Sequence, residues 1–366
     1  MNPHYFFSTV TRKSDLWQVP FDTEPLGRED WSTGDFVVGR TTGKRNRLYR
    51  CETKSGRMAD MVRGDLMIGA LGRRAATLEG VGDWRDVGDN LELEALTSAG
   101  LIGKSTSISP LLPELMRLEY LGHVMRNGGK LTMQDFIEPV APRTLDKPVI
   151  LLIGTSMSAG KTSSGQVVIR ALTYLGLNVA ASKMTGAARY RDILKFHDAG
   201  ASFVIDFVEA GLPSTVCPEP RFREAMEWML SKIAASDTDV LVVEAGASPL
   251  EPYNGALLVE YLSKLTCLTV LCASDPYAVL GVQTAFGDHL KADLVSGPAT
   301  NTTAAVALLK QLIGLPALNL LDRRTYPELT ELLKRALNLK EYAPTKKRRD
   351  LSGAFSTECP PQIRSW

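Results

Sequence analysis

The chain has 366 residues, 44% hydrophobic and 23% charged, with a formal net charge of +1. Its length suggests about two domains, each with apolar material for a core, and its balanced charge excludes a polybasic nucleic-acid-binding or membrane-surface protein. Five scattered cysteines (Cys51, Cys217, Cys267, Cys272, Cys359) form neither a disulfide framework nor a zinc spacing, which predicts a reducing, cytoplasmic setting.

The opening "MNPHYFFSTVTRKSDLW" has no signal-peptide pattern, and no apolar run approaches the roughly 20 residues of a membrane span. Residues 1–140 read as a β-rich N-terminal domain. Short apolar runs alternate with Gly-Asp turns, and "GDFVVGR" (34–40) and "GDLMIGA" (64–70) are expected to be equivalent hairpin strands. The spacing in "PELMRLEYLGHVMRNG" (113–128) predicts a helical end to this domain. "EPVAPRTLDKP" (138–148), with three prolines, reads as a linker.

Residues 147–340 change texture. Continuous apolar runs at "PVILLIG", "LNVAAS", "DVLVVEA", "LTVLCA", "ADLVSG" and "ALNLL" are separated by helical segments. Fully apolar strands of this kind predict an α/β fold, a parallel sheet flanked by helices. "PEPRFREAMEWMLSKI" reads as a core-facing helix. Residues 341–366 read as an extended tail in which Lys346-Lys347-Arg348-Arg349 is a solvated basic run.

The chemistry-bearing stretch is "PVILLIGTSMSAGKTSSGQVV" (148–168). A buried strand, a Gly- and Ser-rich turn and a helix beginning near Lys161 meet the requirements of a phosphate-binding loop. Small residues let backbone N–H groups converge on an anion at the positive end of a helix. Gly154, Thr155, Ser156, Ser158, Ala159, Gly160, Lys161, Thr162 and Ser163 are the candidate nucleotide contacts. Lys161 would meet the outer phosphates, and Thr162 would help hold Mg²⁺. The first glycine is one place early, since five residues, not four, separate Gly154 from Gly160. A second Gly-Lys-Ser, Gly103-Lys104-Ser105, follows "NLELEALT", which reads as helical or amphipathic, and is taken as coincidence.

Lys183 ends the second apolar strand, at the edge where open α/β sheets bind ligands. Glu244 closes the strand "DVLVVEA", where a Mg²⁺ contact is expected. Asp192 and Asp206 are both candidates for a second metal carboxylate, with Asp206 favoured because it ends an apolar run. His197 and His289 read as structural rather than catalytic.

Together these residues resemble the dethiobiotin synthetase-like group of P-loop proteins. Its loop reads G-T-D-x-x-x-G-K-T with the same five-residue gap, its second-strand lysine corresponds to Lys183, and its E-G-A-G corresponds to "EAGA" (244–247). "DFVEAG" (206–211) and "LVSGPATNT" (294–302) are also similar to segments of the P-loop family that includes D-glutamate N-acetyltransferases. The resemblance covers about residues 147–325. It implies an ATP- and Mg²⁺-dependent enzyme, with Lys161 and Lys183 catalytic, that activates a small carboxylate or amine for ligation or cyclisation. It is also consistent with a homodimer acting on a small molecule, while the balanced charge predicts no nucleic-acid or membrane partner. An N-acyltransferase and a nucleotide-switched interaction protein are the alternatives. This chain departs from the group at Ser156, where dethiobiotin synthetases carry an acid, at Met184-Thr185 and at Ala245. No lysine occurs within Thr155–Ala159, which sets aside the partition-ATPase branch.

Overall fold

The computed structural model describes residues 4–286 and 290–339. Cys359, His289 and the expected tail with its basic run lie outside the described residues. The N-terminal half carries twelve strands: β1 (Tyr5–Phe7), β2 (Asp22–Glu24), β3 (Phe36–Thr41), β4 (Arg50–Glu52), β5 (Met58–Asp60), β6 (Leu66–Leu71), β7 (Arg73–Ala76), β8 (Gly80–Asp83), β9 (Glu92–Ala95), β10 (Leu101–Ile108), β11 (Met116–Arg126) and β12 (Gly129–Lys130). Strands β6, β3, β11, β9 and β10 pair in that order, and β10 pairs back onto β6. The result is a small closed barrel, which leaves those five strands no free edge. Its interior is filled by Val37, Met67, Leu71, Leu93, Ile102 and Leu118. The two Gly-Asp segments form β3 and β6, which pair antiparallel with each other.

Two helical expectations fail here. Residues 113–128 contain no helix: Met116–Arg126 is the longest strand of the barrel. Its start alternates buried Met116, Leu118 and Tyr120 with exposed Arg117 and Glu119, the period of two that a half-buried strand requires. Asn127 and Gly128 both have positive φ and turn the chain back into β12, as an Asn-Gly hairpin does. "NLELEALT" likewise forms β9 because its Leu-Glu alternation also has period two.

After residues 137–148, which carry no helix or strand, the chain builds a six-stranded sheet. Its strands are β13 (Val149–Gly154), β14 (Val179–Thr185), β15 (Phe203–Asp206), β16 (Val240–Ala245), β17 (Thr266–Cys272) and β18 (Leu294–Ser296). All pairings are parallel, in the order β15-β14-β16-β13-β17-β18. "ALNLL" adds no strand; Ala317 makes only an isolated bridge to Val295.

Helices α1 (Lys161–Tyr174), α2 (Tyr190–Asp198) and α7 (Tyr326–Ala336) cover one face. Helices α3 (Glu219–Ala234), α4 (Gly255–Leu262), α5 (Pro276–Phe286) and α6 (Thr303–Ile313) cover the other. This second face shares one continuous apolar cluster with the barrel side: Val10, Phe36, Val38 and Ile68 join Leu151, Ile153, Phe207 and Val243. Among the described residues, no helix is long and apolar enough to cross a membrane.

Candidate functional site

Strand β13 lies between β16 and β17, while the chain leaving it crosses over through α1 to β14, beyond β16. That reversal opens a crevice at the carboxyl ends of the strands, where ligands of such sheets bind. Gly154 ends β13, and Thr155 N–H donates to the Cys272 carbonyl (3.1 Å) while its Oγ1 accepts from Ser274 N–H (3.2 Å). The chain turns through buried Ser156, exposed Ser158 and buried Ala159, and Gly160 (φ 91°) leads into α1 at Lys161. Gly160 therefore occupies backbone space that a side chain rarely adopts. Gly165 lets α1 sit directly on the sheet, since a Cβ there would lie 2.7 Å from both Leu152 and Phe196. The strand–loop–helix unit is a P-loop.

Lys161 is 2% exposed. Its ammonium folds back over Gly154 and donates to the Ser156 carbonyl (2.6 Å). Burial pushes its pKa down, against a smaller opposing pull from Glu244. Thr162 and Ser163, half-buried on the first turn of α1, follow it; the Thr162 hydroxyl donates to Glu244 Oε2 (2.9 Å). Glu244 is buried at the end of β16, and desolvation raises its carboxyl pKa despite Lys183 and Lys161 nearby.

Strand register places Asp206, Lys183, Glu244 and Leu152 side by side across β15, β14, β16 and β13, and so on one face. Lys183 donates to Asp192 Oδ2 (2.5 Å) from α2. Burial alone would lower the Lys183 pKa, but Asp192 and Glu244 together hold it above its ordinary value. Asp192 sits correspondingly low: desolvation raises it, and the pull of Lys183 outweighs that. Asp206, at the sheet edge, instead forms an ion pair with Arg12 from the N-terminal half and accepts Val208 N–H (2.9 Å). The two candidate aspartates therefore have different partners, and only Asp192 bonds to Lys183. His197 is exposed on the last turn of α2, away from Asp192 on its first.

The donor set suits a Mg²⁺-bound nucleotide. Thr162 and Glu244 offer hydroxyl and carboxylate oxygens to a hard cation, and the buried ammonium of Lys161 hydrogen-bonds to a neutral carbonyl, with the pull of the Glu244 carboxylate outweighed by burial. Among the described residues no three His, Cys, Asp or Glu side chains gather as a metal-binding group, so phosphate and water would complete the coordination, as is usual for Mg²⁺.

The N-terminal contacts to this edge were not legible in the sequence. Met157, in the loop, packs against an apolar cluster in which Leu96, Leu101 and Leu115 of the N-terminal half join Ala187, Val216, Ala247 and Tyr253. After Glu244, Tyr253 Oη accepts Ala75 N–H (2.9 Å), and Glu251 Oε1 accepts from Thr77 N–H (2.9 Å) and its hydroxyl (2.5 Å). These partners lie 174 to 178 positions apart, and no local pattern announces them.

No protein-family model matches the chain, and no curated protein matches it. Solved structures similar over part of it include the hydrogenase maturation factor HypB from Archaeoglobus fulgidus, at 14% identity and TM-score 0.36, covering 52% of this chain and 91% of that one. A DUF1611 family protein from Anabaena variabilis matches at 16% identity and TM-score 0.36, covering 56% and 61%. The signal recognition particle receptor FtsY from Elizabethkingia anophelis matches at 13% identity and TM-score 0.36, covering 53% of this chain and 66% of its own. At these scores the likeness carries no inference about ligand or activity.

Proposed function

We propose that the chain is a Mg²⁺-dependent nucleoside triphosphatase or phosphotransferase whose P-loop binds the triphosphate and whose Lys183 stabilises the transferred phosphoryl group. The observation that carries this reading is Lys161: a buried cation with a lowered pKa, hydrogen-bonded to a neutral carbonyl. Burying a charge is costly unless an opposite charge is bonded to it; Glu244 pulls on Lys161 but does not outweigh its burial, and an anionic phosphate would offset the remaining cost. Lys161 then neutralises the outer phosphate oxygens, Lys183 sits one strand beyond Glu244 on the same face, and Asp192 keeps Lys183 protonated. Mg²⁺, held by Thr162 and Glu244, would supply further neutralisation of phosphate charge. ATP, and a small carboxylate or amine as acceptor, are the nucleotide and substrate that the sequence resemblance implies.

The test is thermal unfolding with Mg-ATP and Mg-GTP, because a ligand that binds only the folded chain raises its apparent stability. Protection by Mg-ATP, lost in Lys161→Ala, is expected. Protection by GTP alone would overturn the choice of ATP, and protection by neither would overturn the site.

A second reading, the nucleotide-switched interaction protein, is favoured by one observation. The segments on both sides of the site, α2 and residues 248–254, are hydrogen-bonded to the N-terminal half. A switch would hydrolyse nucleotide slowly without an acceptor, whereas a ligase or phosphotransferase would consume it in step with one. Acyl transfer has less support, because a general base must reach the acceptor's proton and the candidate, His197, is an exposed residue on the last turn of α2, the end opposite Asp192.

A further inference from the structure

Helix α2 has nine residues, and its N-cap, Arg189, makes no side-chain cap. So short a helix is not stable alone, and its first turn presents N–H groups with no partner inside the helix. One of these, Arg191 N–H, donates to Glu52 Oε1 (2.8 Å), and the Arg191 Nε donates to the same oxygen (3.2 Å). Glu52 is fully buried on β4, 139 positions earlier in the chain. It is anchored through its backbone: its N–H donates to the Ser98 carbonyl (2.7 Å) and its carbonyl accepts from the Thr9 hydroxyl (3.2 Å).

Two neighbours reinforce this seat. The Arg12 guanidinium lies 4.7 Å over the ring of Tyr190, the first residue of α2. Gly56, in the turn of the separate β4–β5 hairpin, lies so near Leu194 that a Cβ would collide with it. The residue next to Arg191 is Asp192, which reaches the other way to Lys183.

We propose that Glu52 is a positioning residue: by capping α2 from the N-terminal side, it fixes where Asp192 holds Lys183 and so sets the competence of the phosphoryl-transfer site. A carboxylate at a helix N-terminus is favourable in itself, but here the acceptor belongs to a different part of the fold. Glu52 touches no reacting atom; it acts through α2. The inference rests on the phosphoryl-transfer reading given above.

The test uses the full chain with Glu52→Ala, Glu52→Gln, Asp192→Asn and the Glu52→Ala/Asp192→Asn pair. Mg-nucleotide turnover is read as separate kcat and KM, together with amide exchange over residues 161–174 and 189–198. Glu52→Ala is expected to lower kcat about tenfold with KM within about twofold, because a small misplacement of a catalytic group affects chemistry before binding. Glu52→Gln keeps an oxygen for Arg191 N–H and should restore most of that loss. Adding Glu52→Ala to Asp192→Asn should cost little more, since residues acting through one contact are non-additive. Exchange in the first turn of α2 should quicken while α1 stays protected.

Unchanged kcat in Glu52→Ala, or losses that simply add with Asp192→Asn, would overturn the proposal. If Glu52→Ala unfolds, Glu52→Met, which fills the space without an acceptor, carries the same expected split. A wild-type chain that gains no protection from Mg-nucleotide would bring down the phosphoryl-transfer reading itself, an outcome distinct from wild-type turnover that is indifferent to Glu52.

Discussion

Two stretches of this chain carry the same three-residue pattern, Gly103-Lys104-Ser105 and Gly160-Lys161-Thr162, and the fold uses them in opposite ways. The first lies inside strand β10. There Lys104 reaches Glu92 (3.2 Å) and Glu94 (3.4 Å) with its side chain 28% exposed, and Ser105 N–H donates to Glu94 Oε2 (2.7 Å). The second opens a helix, and its lysine is buried against a carbonyl. Even the glycines differ in purpose. A Cβ on Gly103 would lie 2.8 Å from Trp84 N and 2.9 Å from Asp83 C, whereas Gly160 has 3.5 Å of room but a φ of 91°. A lysine already matched by carboxylates has little left for a ligand, while one buried with a neutral partner is poised for an anion. Context, through the preceding strand and the following helix, decides which is which.

Substitutions at the two sites sharpen that contrast. The largest expected effect is on ligand binding: Lys161→Ala should weaken Mg-nucleotide affinity about 100-fold, since charge-assisted hydrogen bonds are lost. Lys104→Ala should leave it unchanged, as calorimetric titration would show. Next, Gly103→Ala should destabilise the chain by about 2 kcal/mol in chemical denaturation, because the blocking atoms are backbone. Gly160→Ala should cost only about 1 kcal/mol, for its left-handed conformation, yet weaken nucleotide binding.

Smaller still, Lys161→Met should raise the stability of the ligand-free chain by about 1 kcal/mol at neutral pH by removing a buried charge. The folded-state pKa of Lys161 lies below its ordinary 10.5, so the wild-type folded chain sheds that proton first and gains stability as pH rises toward 10.5. The advantage of Lys161→Met should therefore shrink in alkaline buffer, and a constant difference would contradict it. Lys104→Met, at a partly exposed pair, should stay within about 0.5 kcal/mol.

The parallel sheet and the loop were readable because their signals are local. "VILLIG" is apolar at every position, and the small residues after it leave the helix start exposed to a ligand. The barrel was harder. "MRLEYLGHVMRNGG" satisfies helical and strand spacing at once, and the decisive mark was the Asn127-Gly128 turn rather than the apolar pattern. The sequence favours Asp206 over Asp192 because it ends an apolar run, yet it is Asp192 that bonds to Lys183; the partner that takes up Asp206 is Arg12, 194 positions away, which no local pattern shows. Glu52 gave no signal at all, since a buried glutamate on a short strand looks like any strand-edge acid until the helix it caps is folded against it.

The apolar cluster shared by the barrel side and the sheet bears on how the chain comes apart. Val10, Phe36 and Ile68 lie in the same core as Leu151, Ile153 and Val243, so a cut in the proline-rich stretch near residue 140 would bare a broad hydrophobic face on each piece. Heat should accordingly melt both halves together in a single calorimetric transition, and either half made alone should aggregate rather than fold. In manufacturing terms, the proline stretch is a seam in the sequence but not a place to divide the molecule.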